Sequence, residues 1–102
     1  MKIHALTEAD RAVALEKARE ARSKRAAVRE KLKRGEITLA QAIDMGDDPV
    51  IGRMKVSALI KALPGYGKAA SEKIMEELDI YEGRRLSGLG KRQREALLKR
   101  LG

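Results

Sequence analysis

The chain has no cysteine, no phenylalanine, no tryptophan, and only two tyrosines and two prolines among its 102 residues. Without cysteine there is neither a disulfide framework nor a thiolate zinc site. The lone histidine, His4, cannot build a histidine metal site, and its place near the terminus marks it as exposed. The shortage of aromatics leaves the core to Leu, Ile, Val, Met and Ala. That composition, with many helix formers and almost no proline, points to an all-α fold. A chain of this length makes one domain with one modest core. No apolar run approaches membrane-spanning length, and no secretory signal precedes the first charged helix. No membrane partner is therefore expected, and the location should be cytoplasmic.

What is present is positive charge, +8 in all. Its distribution says more than its size. Residues 1–16 carry −1, residues 17–34 +7, residues 35–83 −4 and residues 84–102 +6. Two basic blocks bracket a mildly acidic middle, a pattern that a general need for solubility does not explain. A polyanion, nucleic acid first, is the implied partner.

The organising stretch is Leu63-Pro64-Gly65-Tyr66-Gly67-Lys68. Upstream, Val56, Leu59, Ile60 and Leu63 recur at helical spacing, and downstream Ala70, Ile74 and Leu78 do the same. The spacing predicts helix, tight hairpin, helix. Pro64 disfavours helical geometry at Leu63 and stops the first helix. Gly65 and Gly67 allow positive φ and leave the loop amides uncovered. A second helix starting near Lys68 would then offer free N–H groups and its positive dipole end to an anion such as phosphate. A plain helix–helix turn without a ligand fits the same residues.

Leu86-Ser87-Gly88-Leu89-Gly90-Lys91 repeats this stretch at an offset of 23 residues. Leu86, Gly88, Gly90 and Lys91 align with Leu63, Gly65, Gly67 and Lys68, and the following helices align Glu95 with Glu72, Leu97 with Ile74 and Leu101 with Leu78. The simplest account is two helix starts presenting amides to two phosphates. Arg84-Arg85 precede the second turn and can reach phosphates or a minor groove. Alternatively, they cap the preceding helix or bond Glu82.

The remainder organises around these turns. Thr7 reads as an N-cap, and nothing breaks helix from there to Arg34, with Gly35 as the stop. That makes a rod of about 40 Å. Its large apolar residues, Leu6, Val13, Leu15, Val28 and Leu32, sit only towards its ends, so part of it should stand off the core. Arg19, Arg22, Lys24, Arg25 and Arg29 spread around it, either as an arm for a phosphate backbone or as a solvated face with helical ion pairs. Thr38-Leu39-Ala40-Gln41 is a capping box opening a short helix to about Met45, which Gly46 ends. Leu39 and Ile43 point inward. Asp47-Asp48-Pro49 is a turn, and Val50, Ile51 and Met54 join the core. Residues 1–35 thus form a long basic helix and residues 36–102 a compact binding domain, in one structural unit.

Catalytic groups are missing. There is no triad, no metal cluster, and Gly65-Tyr66-Gly67-Lys68 lacks P-loop spacing. Lys68 beside a hairpin suggests a glycosylase, but no aromatic set could hold a flipped base, and Met1-Lys2-Ile3 offers no N-terminal proline nucleophile. No enzyme activity and no cofactor are expected.

Met54 through Leu59, Leu63 through Lys68, Ile74-Met75-Glu76 and Arg84 through Gly90, taken in order, resemble the actinobacterial integration host factor family. The resemblance covers nearly the whole chain. It implies a helix-two-turn-helix domain and a nucleoid-associated protein that binds and bends double-stranded DNA with little sequence preference, with phage integrase as a possible partner. Matched by position, it assigns DNA contact to Gly65, Tyr66, Gly67, Lys68, Arg84, Arg85, Gly88 and Gly90. Relatives commonly carry a further arginine where this chain has Ser87, which keeps a hydrogen bond to phosphate but loses a charge. Lys91 and Arg92 stand nearby to offset that loss. A monomer in solution is expected. The alternative is an RNA-binding, ribosome-associated protein of the same superfamily. A protein-interaction helix with incidental DNA binding is a third reading.

Overall fold

A computed structural model describes residues 7–101; His4, Leu6 and the other terminal residues lie outside it. The described residues are helical, with no strand among them. Five α-helices follow in order: α1 (Glu8–Lys33), α2 (Leu39–Asp44), α3 (Val56–Ala62), α4 (Lys68–Glu77) and α5 (Lys91–Leu101). Three single 3₁₀ turns, Met45–Asp47, Ile51–Arg53 and Leu86–Gly88, join them.

The starts of α1 and α2 are closed by their own side chains. The Thr7 hydroxyl accepts from the Asp10 amide and the Asp10 carboxylate accepts from the Thr7 amide. Thr38 and Gln41 do the same for α2. The end of α1 is a Schellman motif: Gly35 takes φ 73°, its amide donates to the Leu32 carbonyl, and the Glu36 amide donates to Lys31. Asp79 plays the glycine's part after α4, at φ 55°, with the Ile80 amide on the Met75 carbonyl. Gly46 does not end the second helix as its composition suggests, because the chain tightens into the 3₁₀ turn Met45–Asp47 and carries on. Gly46 and Gly52 are needed for a close approach instead: a Cβ on Gly52 would stand 2.5 Å from the Gly46 carbonyl oxygen. Asp48 is a capping residue, its carboxylate accepting from the amides of Val50 and Ile51.

One core holds the bundle. Leu32 of α1, Val56, Leu59 and Ile60 of α3, and Leu97 of α5 have no exposed surface, and Leu39, Ile43, Ile51, Met54, Ile74 and Met75 close around them. Each fully buried leucine or isoleucine contributes about 1.5–3 kcal/mol of apolar transfer. Ile74 and Leu97, aligned in the internal repeat, are both buried.

The long helix is docked over only half its length. Val28 and Leu32 enter the core, and Lys24 pairs with Asp48. Every residue from Glu8 to Glu20 is exposed, a free arm of about 20 Å at 1.5 Å per residue. Val13 and Leu15 lie on that arm at 54% and 63% exposure. The part that stands off the core runs from the N-terminal end of α1 through Glu20, and most of the stretch from there to Ala27 is exposed as well.

Candidate nucleic-acid interface

The first turn is built as its sequence dictates. Leu63 is extended (φ −66°, ψ 142°) before Pro64, the Tyr66 amide donates to the Leu63 carbonyl at 3.2 Å, and Gly65 sits at φ 83°. Proline followed by a left-handed glycine is the signature of a type II turn. Gly67 differs from expectation. It is extended, at φ −106° and ψ −170°, so only Gly65 uses the left-handed region. A side chain at Gly67 would meet nothing within 4 Å. Neither φ nor space requires glycine there; what glycine leaves is an uncovered helix start.

That start carries no side-chain cap and no acid in its first turn. The first intrahelical bond runs from the Ser71 amide to the Gly67 carbonyl at 2.9 Å, so the amides of Lys68, Ala69 and Ala70 have no partner within the helix. Exposed Lys68 stands at the positive end of the dipole. For stability alone this sign of charge is wrong; for an anion it is right.

The second turn closes with the same bond at the aligned position, from the Leu89 amide to the Leu86 carbonyl at 3.1 Å. Its glycine has the other hand: Gly88 does not take positive φ, and the chain from Leu86 to Gly88 is a 3₁₀ turn. The hydrogen-bond frame repeats, then, but the turn type does not. The Gly90 amide donates to the Gln93 side chain at 3.0 Å, and the Arg94 amide to the Gly90 carbonyl at 2.8 Å. Lys91 and Arg92 are exposed at the head of α5, again with no acid in the first turn.

Arg84 and Arg85 neither cap the preceding helix nor bond Glu82. Arg84 Nη1 donates to the Gly88 carbonyl at 3.1 Å, while its Nε is buried without a partner. Arg85 Nη1 donates to the Arg53 carbonyl at 2.6 Å. The pair thus braces the ends of two 3₁₀ turns. Around Arg85 the backbone forms a single antiparallel bridge to Lys55, with the Val56 amide on the Arg84 carbonyl and the Leu86 amide on the Met54 carbonyl. Two cations directly opposite repel each other unless an anion lies between or over them. Ser87 is exposed beside them, its Cβ packed towards Gly52.

Cations beyond the two turns join them, of which the sequence marks only Arg29. Lys55 and Arg53 come to the second turn through the bridge and the Arg85 bond. Arg29 and Lys33 of α1 line a groove of about 690 Å³ with Lys61, Leu63, Pro64 and Tyr66 of the hairpin. Lys33 could have been found because it lies one turn from Arg29, beside the core residues Val28 and Leu32. Among the described residues no group of three or more His, Asp and Glu is placed to hold a metal ion, and no helix is long and apolar enough to cross a membrane.

Comparison with known proteins gives consistent matches. The S13-like H2TH domain family matches residues 32–101. The integration host factor of Mycobacterium tuberculosis is 52% identical over 103 residues, covering 100% of this chain and 98% of that protein. That of Streptomyces coelicolor is 47% identical over 100% of this chain and 96% of the relative. The solved structure of sIHF bound to an 8 bp palindromic DNA superposes with a TM-score of 0.82 at 46% identity, covering 85% of this chain and 99% of that one.

Proposed function

This chain belongs to the integration host factor family, and from that premise we propose that it is a nucleoid-associated protein that binds and bends duplex DNA through its phosphates. The observation that carries this reading is the pair of helix starts at Lys68 and Lys91, each preceded by glycine and each without an acid of its own. The H2TH match by itself leaves ribosomal RNA open as a ligand. The full-length likeness to integration host factors and the DNA-bound neighbour favour DNA.

On this reading the amides and lysines of the two helix starts take two phosphates. Gly65 and Tyr66 shape the first turn, and Ser87, Gly88 and Gly90 the second. Arg84 and Arg85 each spend one nitrogen on a carbonyl and turn what remains towards the backbone, with Lys55 and Arg53 adding charge. Residues 36–102 carry the binding domain, and the docked half of the N-terminal helix contributes Arg29 and Lys33. Contacts of this kind fix register and carry no base code, so specificity rests on DNA shape and bendability. The protein acts without a catalytic step, as a monomer in solution, in the nucleoid, and as an integrase host cofactor.

Gel shifts on random-sequence duplexes across a salt series test this, with bending read from the mobility of the same complexes. If about six to ten phosphates are neutralised, affinity falls by about three to five decades between 50 and 200 mM salt. Arg84→Ala with Arg85→Ala weakens all sequences alike and flattens the slope by about 0.9 per lost phosphate contact. An unchanged slope would remove these two residues from the interface, and tighter binding to structured RNA would overturn the DNA reading.

A further inference from the structure

Two features of the molecule extend beyond the interface described above, the second sharing only Lys61 and Lys68 with it. One is the free arm of α1. From the arm into the turn that follows it, Arg11, Leu15, Ala18 and Arg22 stand at i, i+4, i+7 and i+11 and so share one face, a stripe of cation, apolar residues and cation with every side chain exposed. The arm continues the docked part of a single 26-residue helix, and among the described residues none covers Leu15, which is 63% exposed. The other is a cleft of about 360 Å³ along α4, floored by Met75 and Ile80 and walled by Glu72, Glu76 and Glu82, its far end opening on Lys61 and Lys68. None of the three glutamates is in an ion pair among the described residues. Between Ile80 and Glu82 stands Tyr81, 72% exposed, its ring laid over Gly83 where a Cβ would meet it at 2.6 Å.

Away from Lys61 and Lys68, the part of the cleft walled by Glu72, Glu76 and Glu82 is acidic with an apolar floor, and it repels nucleic acid. Its chemistry matches the arm, with carboxylates for two arginines and an apolar floor for a leucine, and exposed Tyr81, between the lining residues Ile80 and Glu82, adds an aromatic face on which a guanidinium can stack. The lengths match too. The stripe spans about 17 Å and α4 about 15 Å, each at 1.5 Å per residue. No arm residue lines the cleft of its own chain.

We propose that the free arm of one molecule docks in the α4 cleft of the next, joining neighbours head to tail along DNA. Such a contact is heterologous and does not close on itself, so it extends as a row. In solution a charge of +8 on each copy opposes it. On a duplex the phosphates neutralise that charge, so the row forms only there. The inference rests on the DNA reading above.

The test is to titrate the full chain onto a duplex that holds one molecule and onto one several times longer. The short duplex binds with a Hill coefficient of one. The long one binds cooperatively, with half-saturation about tenfold lower, worth about 1.4 kcal/mol per contact. The uncharged changes Leu15→Asn in the arm and Tyr81→Ser beside the cleft each abolish the cooperativity and leave the short-duplex isotherm in place. Arg11→Glu abolishes it as well, and adding Glu82→Arg in the same chain restores it. Non-cooperative binding to the long duplex overturns the docking alone. Loss of short-duplex affinity in Leu15→Asn also overturns it, by making DNA the arm's occupant. Failure to bind even the short duplex overturns the DNA reading and the docking with it.

Discussion

Four of the five described helices begin in one of two ways, while α3 starts on Lys55 with no side-chain cap. α1 and α2 start on threonine, with a capping box that satisfies the first amides from within the chain. α4 and α5 start on glycine followed by lysine, with nothing anionic in the first turn. A threonine cap is worth about 1 kcal/mol, so the second pair gives up stability that the first pair keeps. The difference follows location. The capped starts belong to the scaffold, and the uncapped ones head the two turns where the cations gather. On the proposed reading, a helix start that leaves its amides open and adds a lysine is completed by an anion from outside, and a phosphate backbone supplies two at fixed spacing.

The strongest way to break this contrast is to give the open starts an acid of their own. Gly67 is extended, with free space around it, and Gly90 does not take positive φ, so both accept aspartate. In Gly67→Asp with Gly90→Asp, the carboxylates cap α4 and α5 and raise the melting temperature, each cap contributing about 0.5–2 kcal/mol. The same carboxylates face the phosphates, and duplex affinity falls by two decades or more, since like charges across an interface cost several kcal/mol. Opposite signs for stability and binding, read by thermal melts and gel shifts on one sample, are the expected outcome. A parallel fall in both would mean that the glycines are needed by the fold.

The converse change removes a scaffold cap. Thr38→Ala loses about 1 kcal/mol and lowers the melting temperature by about 4–8 °C for a domain of this size, with duplex affinity unchanged. Thr7→Ala frays the exposed arm and leaves the melting temperature alone, which hydrogen exchange of the Asp10 and Arg11 amides reports.

The smallest effect concerns the dock of α1. The Lys24 ammonium, then the Ile51 amide, hold the Asp48 carboxyl below its ordinary value of 3.8. The folded state therefore binds this proton less readily than the unfolded chain. The stabilisation is complete above pH 3.8 and is lost as the pH falls from there through the folded-state value. Asp48→Asn removes that part of the acid dependence, visible as a flatter stability curve below pH 4 in urea melts at a series of pH values.

Much of this contrast could be read from the sequence, because capping is local. Thr7, Gly35, the Thr38–Gln41 box and the stop at Pro64 all act within a few residues of themselves, and each lies where its chemistry predicts. Glycine says less: at Gly65 and Gly67 composition permits either sign of φ, and only the folded turn decides. The repeat was half legible. Helix register and turn closure recur, but the glycine hand differs, since Pro64-Gly65 forms a type II turn and Ser87-Gly88 a 3₁₀ turn. Lys55 could not be placed at all, because its neighbour Arg85 is thirty residues away in the chain. Arg29 and Lys33 join the hairpin only once Val28 and Leu32 are buried against α3. Val13 and Leu15 stay exposed for the same reason: apolar periodicity marks a face, and tertiary packing chooses which part of it is covered.

The most direct test of the contrast is amide chemical-shift mapping during titration with a random-sequence duplex. The amides of Lys68–Ala70 and Lys91–Gln93 should show the largest shifts and gain protection from exchange, while those at the starts of α1 and α2 stay in place. Binding of the duplex with the α4 and α5 starts unmoved would contradict the account.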